Sequence, residues 1–196
     1  TARFISDGPA MDPLRGPVVS TPVVVKHGLQ QKKLAVAAQL FEKSPFNSYI
    51  GPGKPELLII TSSACFLYSR EAVEWLGLQK RVGILKLSCT WPLPEKLLKK
   101  YLRLTDRVMV VEEVLPFLEE NIKVAAMGML KAVGVKTFYG KMDRTLPSVG
   151  ELNPEIVSAA LGKIMKVRPK AMSSAYVREV EKAATKIPPR EQTFCP

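Results

Sequence analysis

The sequence predicts an α/β protein: an open, mostly parallel sheet with helices packed on both of its faces. Three aliphatic runs recur at one spacing, because they begin at Leu57, Val82 and Arg107, which are 25 residues apart. A segment with apolar residues at helical spacing follows each run. This alternation is typical of strand–helix–strand units, in which the strands lie parallel and the helices cover them. The predicted architecture therefore has three layers, with the sheet in the middle.

The individual elements follow from local signals. Strands are predicted at 57–61, 82–88, 107–111 and 135–139. Helices are predicted at 28–43, at 64–76, from Pro94 onward, and at 115–131, 154–165 and 171–187. Proline is favourable in a first helical turn, so Pro94 and Pro154 are expected to open helices, the second with Asn153 as N-cap. The runs Val18-Val19 and Val23-Val24-Val25 are each interpreted as a short strand or an extended arm.

Helix-breaking residues divide the chain into three segments. Gly51-Pro52-Gly53-Lys54-Pro55 is a linker of strong breakers, and the first domain boundary is placed there. The predicted segments are 1–53, 54–166 and 167–196. No apolar run approaches the roughly 20 residues that a membrane-spanning helix requires, and the first residues lack a signal-peptide pattern. A membrane is therefore not an expected partner.

Charge and cysteine usage narrow the function further. The net charge is +11, but residues 56–165 hold 15 Lys and Arg against 12 Asp and Glu, so most of the excess lies in the flanking segments. No interleaving of basic and aromatic residues marks a nucleic-acid surface, and nucleic acid is not an expected partner. Three cysteines lie far apart (Cys65, Cys89 and Cys195), which suits a reducing cytoplasm.

The carboxyl ends of the predicted strands are the expected place for a ligand. The first strand–helix turn contains Ser62 and Ser63 but no glycine, so a nicotinamide or flavin cofactor is not expected there. Two interpretations of these serines stay open. One of them caps the following helix, or their hydroxyls and the nearby amides hold an anion.

Three further residues at this edge are candidates for contacts. Glu112 and Glu113 are adjacent, and neighbouring strand residues point to opposite faces, so a converging acid–base pair is not expected; structural or interface use is favoured. Trp91 in its proline-rich loop is either a partner contact or a lid over the core. The chain has one histidine, His27, which argues against a catalytic triad, a Cys–His dyad or a zinc site built within it.

Short segments in series along the chain resemble one family. They are Ser44-Pro45-Phe46-Asn47, Ile59-Ile60-Thr61-Ser62, Leu85-Lys86-Leu87, Trp91-Pro92-Leu93-Pro94-Glu95-Lys96, Val110-Val111-Glu112-Glu113, Gly150-Glu151-Leu152-Asn153-Pro154, Pro188-Pro189-Arg190 and Phe194-Cys195-Pro196. In this order they resemble the large (alpha) subunit of indolepyruvate ferredoxin oxidoreductase, a member of the 2-oxoacid ferredoxin oxidoreductase superfamily. The resemblance covers residues 44–196 well and the first 43 loosely.

The resemblance implies that this chain corresponds to the central, transketolase-C-terminal-like domain of that subunit. Residues 1–53 then form the end of the preceding domain and a linker. Residues 167–196 form a connector to a thiamine-pyrophosphate-binding domain that the sequence does not contain. The role implied for this part is structural, with no catalytic residue and no cofactor of its own.

For the whole enzyme the resemblance implies oxidative decarboxylation of 2-oxo acids to acyl-CoA, with thiamine diphosphate, Mg²⁺ and [4Fe-4S] clusters. The implied partners are the other domains of the subunit, a beta (gamma-type) subunit, ferredoxin and CoA. The domain that follows in the family opens with Cys-Pro-Gly-Cys. Cys195 would be its first cysteine and would bind metal only in the full-length subunit. The alternative is a self-standing module that binds an anionic ligand such as CoA at Ser62 and Ser63.

Overall fold

The computed structural model describes residues 23–168 and 174–188. The helices in these ranges are α1 (Val23–Glu42), α2 (Cys65–Trp75), α3 (Glu95–Leu102), α4 (Phe117–Gly128), α5 (Leu130–Val133), α6 (Pro154–Met165) and α7 (Ser174–Ala184). The strands are β1 (Ser48–Ile50), β2 (Leu57–Thr61), β3 (Val82–Lys86), β4 (Arg107–Val111) and β5 (Thr137–Tyr139).

The five strands form one sheet in the order β1-β3-β2-β4-β5. Strands β2 to β5 are parallel, and β1 pairs antiparallel with β3 at the edge. Every residue of the central strand β2 is buried. A strand covered by helices on both faces has no polar side, which explains its unbroken aliphatic sequence. The predicted α/β class and mostly parallel sheet are confirmed.

Two hydrophobic cores lie on opposite faces of the sheet. Leu57 and Ile59 of β2 pack in the first core, together with α2 and α6. Leu58 and Ile60, which alternate with them, pack in the second core with α3 and α4. Because successive strand residues point to opposite faces, one aliphatic strand supplies both cores. The predicted three layers are therefore confirmed.

Local signals predicted several elements to the residue. Strands β2 and β4 match their predicted bounds, and so does α6. The side chain of Asn153 caps α6, since its Oδ1 accepts a hydrogen bond of 2.9 Å from the Ile156 amide. Pro94 precedes α3 as its N-cap residue rather than lying in its first turn. Without a side-chain cap of its own, α3 takes one from a distant residue, described below.

Other elements differ from the prediction. The Val23-Val24-Val25 run is the first turn of α1, not a strand or an extended arm. The helix predicted at 115–131 is interrupted at Met129, which has non-helical backbone angles, and continues as α5. Val18-Val19 lies outside the described residues.

Strand β1 was not predicted at all. It pairs with β3, placing Tyr49 opposite Leu85, although the sequence boundary at 51–55 leaves it outside the α/β domain. It belongs to the sheet, whereas the division into three segments otherwise stays a prediction. Within the described ranges, no helix combines the length and the apolar character needed to cross a bilayer.

Candidate functional site

The crevice between β2 and β4 is the topological switch point of this sheet. From β2 the chain passes to β3 on one side, and β4 lies on the other side, so the connections diverge there. In open α/β sheets the carboxyl ends at such a point are the usual ligand-binding position. Here the Thr61 hydroxyl, fully buried, donates a hydrogen bond of 2.8 Å to the Val111 carbonyl across the crevice.

Glu112 occupies the N-terminus of α4. Its carboxylate accepts hydrogen bonds from the Leu118 amide (2.6 Å) and the Glu119 amide (2.8 Å), and the residue is 7% exposed. Burial raises the pKa of Glu112, although the two amide hydrogen bonds act in the opposite direction. A helix N-terminus is a ready anion site, and in this one the anion is a side chain of the protein itself.

Glu113 serves a different segment. Its two carboxylate oxygens lie 3.2 and 3.3 Å from the Leu152 amide, in the loop that leads to α6. Glu112 and Glu113 therefore hold separate pieces of backbone and do not converge on one point. Their use at an interface with a partner stays a prediction.

A third carboxylate, that of Glu119, was not singled out from the sequence. It is 1% exposed and accepts hydrogen bonds from the Lys141 amide (2.8 Å), the Met142 amide (3.2 Å) and the Lys123 ammonium (2.7 Å). A Cβ at Gly140 would overlap its carboxylate, so a glycine is required beside it. Glu119 thus fixes the loop that follows β5.

Two ionisable side chains lie behind this crevice. Lys141 is 4% exposed, and its ammonium donates to the Pro147 carbonyl at 3.0 Å. Burial, assisted by the charge of Glu113, raises the pKa of the Cys65 thiol to about 12. A thiol held neutral in this way is a poor nucleophile and a poor metal ligand.

Ser62 and Ser63 lie at the mouth of the first strand–helix turn. The prediction that one of them caps α2 is wrong: the N-cap is Ala64, and α2 has no side-chain cap. Ser63 adopts a positive φ of 50°, and its carbonyl accepts the Phe66 amide. Neither hydroxyl has a hydrogen bond within the part of the chain that the structure describes. Anion binding at these serines stays a prediction.

A shallow depression of about 580 Å³ opens above these two serines. Its other lining residues are Phe46, Lys86, Leu87, Ser88, Cys89, Thr90 and Trp91. Lys86 lines the same depression as the serines, so it brings a positive charge to it. Its ammonium lies 5.3 Å from the centre of the Phe66 ring.

The loop that carries Trp91 is fixed by Asn47. The Asn47 Oδ1 accepts hydrogen bonds of 2.9 Å from both the amide and the hydroxyl of Ser88, and its Nδ2 donates to the Phe41 carbonyl at 2.7 Å. The Ser88 hydroxyl also lies 3.0 Å from that of Ser44. One asparagine therefore joins the end of α1 to the end of β3.

Trp91 lies at the mouth of an apolar groove between α1, α3 and α4. It is 56% exposed, and its ring makes an edge contact with Phe117 at a centroid distance of 6.4 Å. The groove measures about 1010 Å³, and Val36 and Leu40 of α1 and Val124 of α4 line it. Its position places Trp91 toward solvent at the surface rather than over a core, which favours the contact interpretation.

The donor set for a metal or cluster is sparse. Among residues 23–168 and 174–188, no three His, Cys, Asp or Glu side chains are arranged to hold a metal ion. His27 is exposed and hydrogen-bonds to Gln31 on the same helix. The prediction for Cys195 lies outside the described residues. The described residues therefore provide no ligand set for an iron–sulfur cluster or for Mg²⁺.

Comparison with protein families gives one assignment. Residues 48–186 match the model described as "Indolepyruvate oxidoreductase domain". The match begins at the first residue of β1 and includes all five strands.

Individual relatives agree with this match. The chain is 33% identical over 165 residues to "Indolepyruvate oxidoreductase subunit IorA" of Archaeoglobus fulgidus, covering 84% of this chain and 25% of that protein. It is 32% identical to the subunit of the same name from Pyrococcus abyssi, covering 80% of this chain and 23% of that protein. The chain thus spans about a quarter of the length of the curated relatives it matches.

One solved structure covers 76% of this chain and 24% of its own, with a TM-score of 0.47 and 15% identity. It is the 2-oxoglutarate:ferredoxin oxidoreductase from Magnetococcus marinus with 2-oxoglutarate, coenzyme A and succinyl-CoA bound. A likeness of this degree supports no inference.

Proposed function

The chain belongs to the indolepyruvate oxidoreductase domain family, and we propose that it is the central structural and interface domain of an indolepyruvate (arylpyruvate) ferredoxin oxidoreductase. The activity proposed for the whole enzyme is oxidative decarboxylation of 2-oxo acids to acyl-CoA. Thiamine diphosphate, Mg²⁺ and [4Fe-4S] clusters would be bound outside this chain. The proposed partners are the remaining domains of the subunit, a beta (gamma-type) subunit, ferredoxin and CoA.

One observation carries the structural role. The switch-point crevice, where a fold of this class ordinarily binds its ligand, is filled by the chain's own groups. Glu112 takes the α4 amides that would hold an anion, and the Thr61 hydroxyl bridges β2 and β4. Because the chain's own groups occupy the usual ligand position of this fold, the observation supports a role as a scaffold. The free thiols of Cys65 and Cys89 suit the cytoplasm, where we place the enzyme.

Calorimetry with thiamine diphosphate and Mg²⁺ tests the proposal. Titration into the folded chain should give no saturable heat, since the described residues bring no three His, Cys, Asp or Glu side chains together to hold Mg²⁺. Far-ultraviolet circular dichroism of the same sample shows that the chain is folded. Saturable binding with micromolar affinity would contradict the scaffold role.

A second candidate function is an anion site for CoA at the edge of the sheet. The two unpaired hydroxyls of Ser62 and Ser63, together with the nearby Lys86 ammonium, favour it. Phosphate oxygens accept hydrogen bonds from hydroxyls and are attracted to a cation, so this corner has the chemistry that a phosphate requires.

A matched pair of variants at Ser63 tests this candidate. Ser63→Asp adds a negative charge, whereas Ser63→Asn adds similar bulk without charge, and both residue types tolerate the positive φ found there. If CoA binds, it should raise the Tm of the wild-type chain and of Ser63→Asn but not that of Ser63→Asp. A Tm of the wild type that CoA does not change would eliminate the candidate.

A further inference from the structure

We propose that the groove between α1, α3 and α4 binds an amphipathic helix whose apolar face is flanked by acidic residues. The inference rests on the proposed interface role and adds the chemistry of the partner. The groove is separate from the carboxyl edge of the sheet, apart from Trp91, which lies at the border of both.

The groove presents apolar side chains to solvent on several elements at once. The main ones and their exposed fractions are Val36 (57%), Leu40 (66%), Trp91 (56%) and Val124 (74%). Ala38, Pro45, Pro92, Leu93 and Ala125 complete the apolar lining. Contiguous exposed apolar surface of this kind, in a concave shape, is typical of an interaction site.

Helix α1 has little of its surface covered by the other described residues. None of its 20 residues is buried, although Val36 and Leu40 lie one turn apart on the side that lines the groove. Helices in globular proteins take most of their stability from packing an apolar face. A second helix laid in the groove would cover the two apolar side chains, Val36 and Leu40, that α1 exposes there.

The walls of the groove are held in place before any partner arrives. The Glu42 carboxylate accepts hydrogen bonds from the Lys96 amide (2.8 Å) and the Leu97 amide (2.9 Å), which joins α1 to the start of α3. Asn47 fixes the loop of Trp91, as described above. A preformed site loses little conformational freedom on binding, so apolar contacts there are used efficiently.

The charges around the groove define the partner. The helices that form it, with the residue that follows α1, carry eight lysines: Lys26, Lys32, Lys33, Lys43, Lys96, Lys99, Lys100 and Lys123. Against these stand four glutamates: Glu42 and Glu119, whose carboxylates are already hydrogen-bonded within the chain, and the exposed Glu95 and Glu120. A helix with acidic flanks complements this field, whereas α1 of a second copy would bring lysines to lysines.

Shape favours a helix over a lipid surface. The lining contributed by α1 and the residue after it runs from Val36 to Lys43, which spans about 11 Å at 1.5 Å per residue. This length accommodates two turns of a partner helix, with apolar anchors at positions i, i+3 or i+4, and i+7. A bilayer surface cannot enter a concave groove, so its contact would be limited to the rim.

A designed peptide probes the groove directly. The probe is an 18-residue fluorescent peptide with leucines at i, i+4, i+7 and i+11, glutamates at the positions that flank them and alanines elsewhere, and its control replaces every glutamate with lysine. In fluorescence anisotropy the acidic peptide should bind saturably and more weakly as salt is raised. Leu40→Glu should weaken binding at least about tenfold. Val149→Glu, at another exposed apolar residue that lies outside the groove, should leave binding unchanged.

Several outcomes would overturn the proposal. Equal affinity for the lysine peptide, or no saturable binding of the acidic one, contradicts the stated chemistry. Dimerisation in sedimentation that Leu40→Glu abolishes would assign the groove to a second copy. Binding to phosphatidylserine vesicles that Leu40→Glu abolishes would assign it to a membrane surface. The thiamine diphosphate titration reports separately on the proposed function, so the two can fail independently.

Discussion

The carboxyl edge of the sheet and the α1–α3–α4 groove are opposite in character. At the edge, Glu112, Glu113 and Glu119 accept hydrogen bonds from five backbone amides of the same chain. In the groove, apolar side chains such as that of Leu40 are exposed to solvent. The carboxylates of the edge are already hydrogen-bonded within the chain, whereas the apolar side chains of the groove are exposed to solvent.

This difference shows that residue type alone does not locate function. The edge has carboxylates of the kind that active sites use, yet these carboxylates accept hydrogen bonds from backbone amides and hold loops and a helix in place. The apolar side chains that line the groove do no catalytic chemistry, yet they are exposed and give a partner an apolar surface to bury. Point variants can test whether the edge carboxylates are structural and whether the groove depends on the Glu42 hydrogen bonds that join α1 to α3.

The largest effect should come from Glu119→Ala. The substitution leaves the buried amide of Lys141 and the partly buried amide of Met142 without their acceptor and removes the partner of Lys123. Loss of a buried charged acceptor costs about 3 kcal/mol in free energy of unfolding. Urea denaturation measures this cost. Glu120→Ala, at the exposed neighbouring position, should change the free energy by less than about 0.5 kcal/mol. Equal values for the two variants would mean that Glu119 holds nothing.

Gly140→Ala should have the next largest effect. The new Cβ would overlap the Glu119 carboxylate, which its own hydrogen bonds hold in place. Overpacking of this kind costs about 2 kcal/mol. Gly128→Ala is the matched control, because a Cβ there meets nothing within 4 Å and alanine favours a helix. The double variant Glu119→Ala/Gly140→Ala should be less unstable than the sum of the singles, and strict additivity would separate the two residues.

Glu42→Ala should have a moderate effect on stability and a larger one on the groove. It removes the acceptor of the Lys96 and Leu97 amides at the start of α3, which costs about 1 kcal/mol, as for an N-cap. Because α1 is then no longer joined to α3, the acidic peptide should also bind more weakly. Glu74→Ala, an exposed position on α2, is the control for both measurements. Unchanged peptide affinity in Glu42→Ala would mean that the groove is not preformed.

The smallest effect is in the pH dependence of stability. Burial raises the pKa of Glu112 above its ordinary value of 4.5. The contribution of this shift to the free energy of unfolding is therefore fully present below pH 4.5 and is lost as pH rises through the folded-state pKa. For Asp143, burial is outweighed by hydrogen bonds from Gly140 and Thr145, which lower the pKa, so its contribution is present above the ordinary value and is lost as pH falls.

Urea denaturation from about pH 2.5 to about pH 7 should separate these two residues, because the change for Asp143 lies below 3.8 and the change for Glu112 lies above 4.5. The stability of the wild type relative to Glu112→Gln should fall as pH rises, and relative to Asp143→Asn it should rise. The same slope for both variants would contradict the opposite shifts.

The sequence predicted the fold because its signals are local. The aliphatic runs of β2 and β4 are bounded by breakers, and Asn153 with Pro154 marks the start of α6 without ambiguity. Strand β1 has three residues, of which Tyr49 and Ile50 alone are apolar, so its pairing with β3 depends on tertiary contacts that no short pattern contains.

The polar network could not be predicted for a related reason. Glu119 reads as one of several acidic residues in a helix, and only the position of the loop after β5 reveals its partners. The groove needs three helices to be placed before its concavity exists. The adjacent pair Glu112 and Glu113 was visible from the sequence, and the two carboxylates do diverge, but both residues lie just after β4, so strand alternation is not the cause. The missing cap on α2 was not, because Ser63 adopts a left-handed conformation instead.

Chemical-shift mapping of the ¹⁵N-labelled chain tests the contrast between the two regions most directly. Thiamine diphosphate with Mg²⁺ and the acidic peptide are titrated in turn, and each amide is followed. The account predicts saturable shifts with the peptide at Val36, Leu40 and Trp91, and no saturable shifts with the cofactor at Thr61, Leu118 or Glu119. Saturable cofactor shifts at those three amides, with the groove unaffected by the peptide, would contradict it.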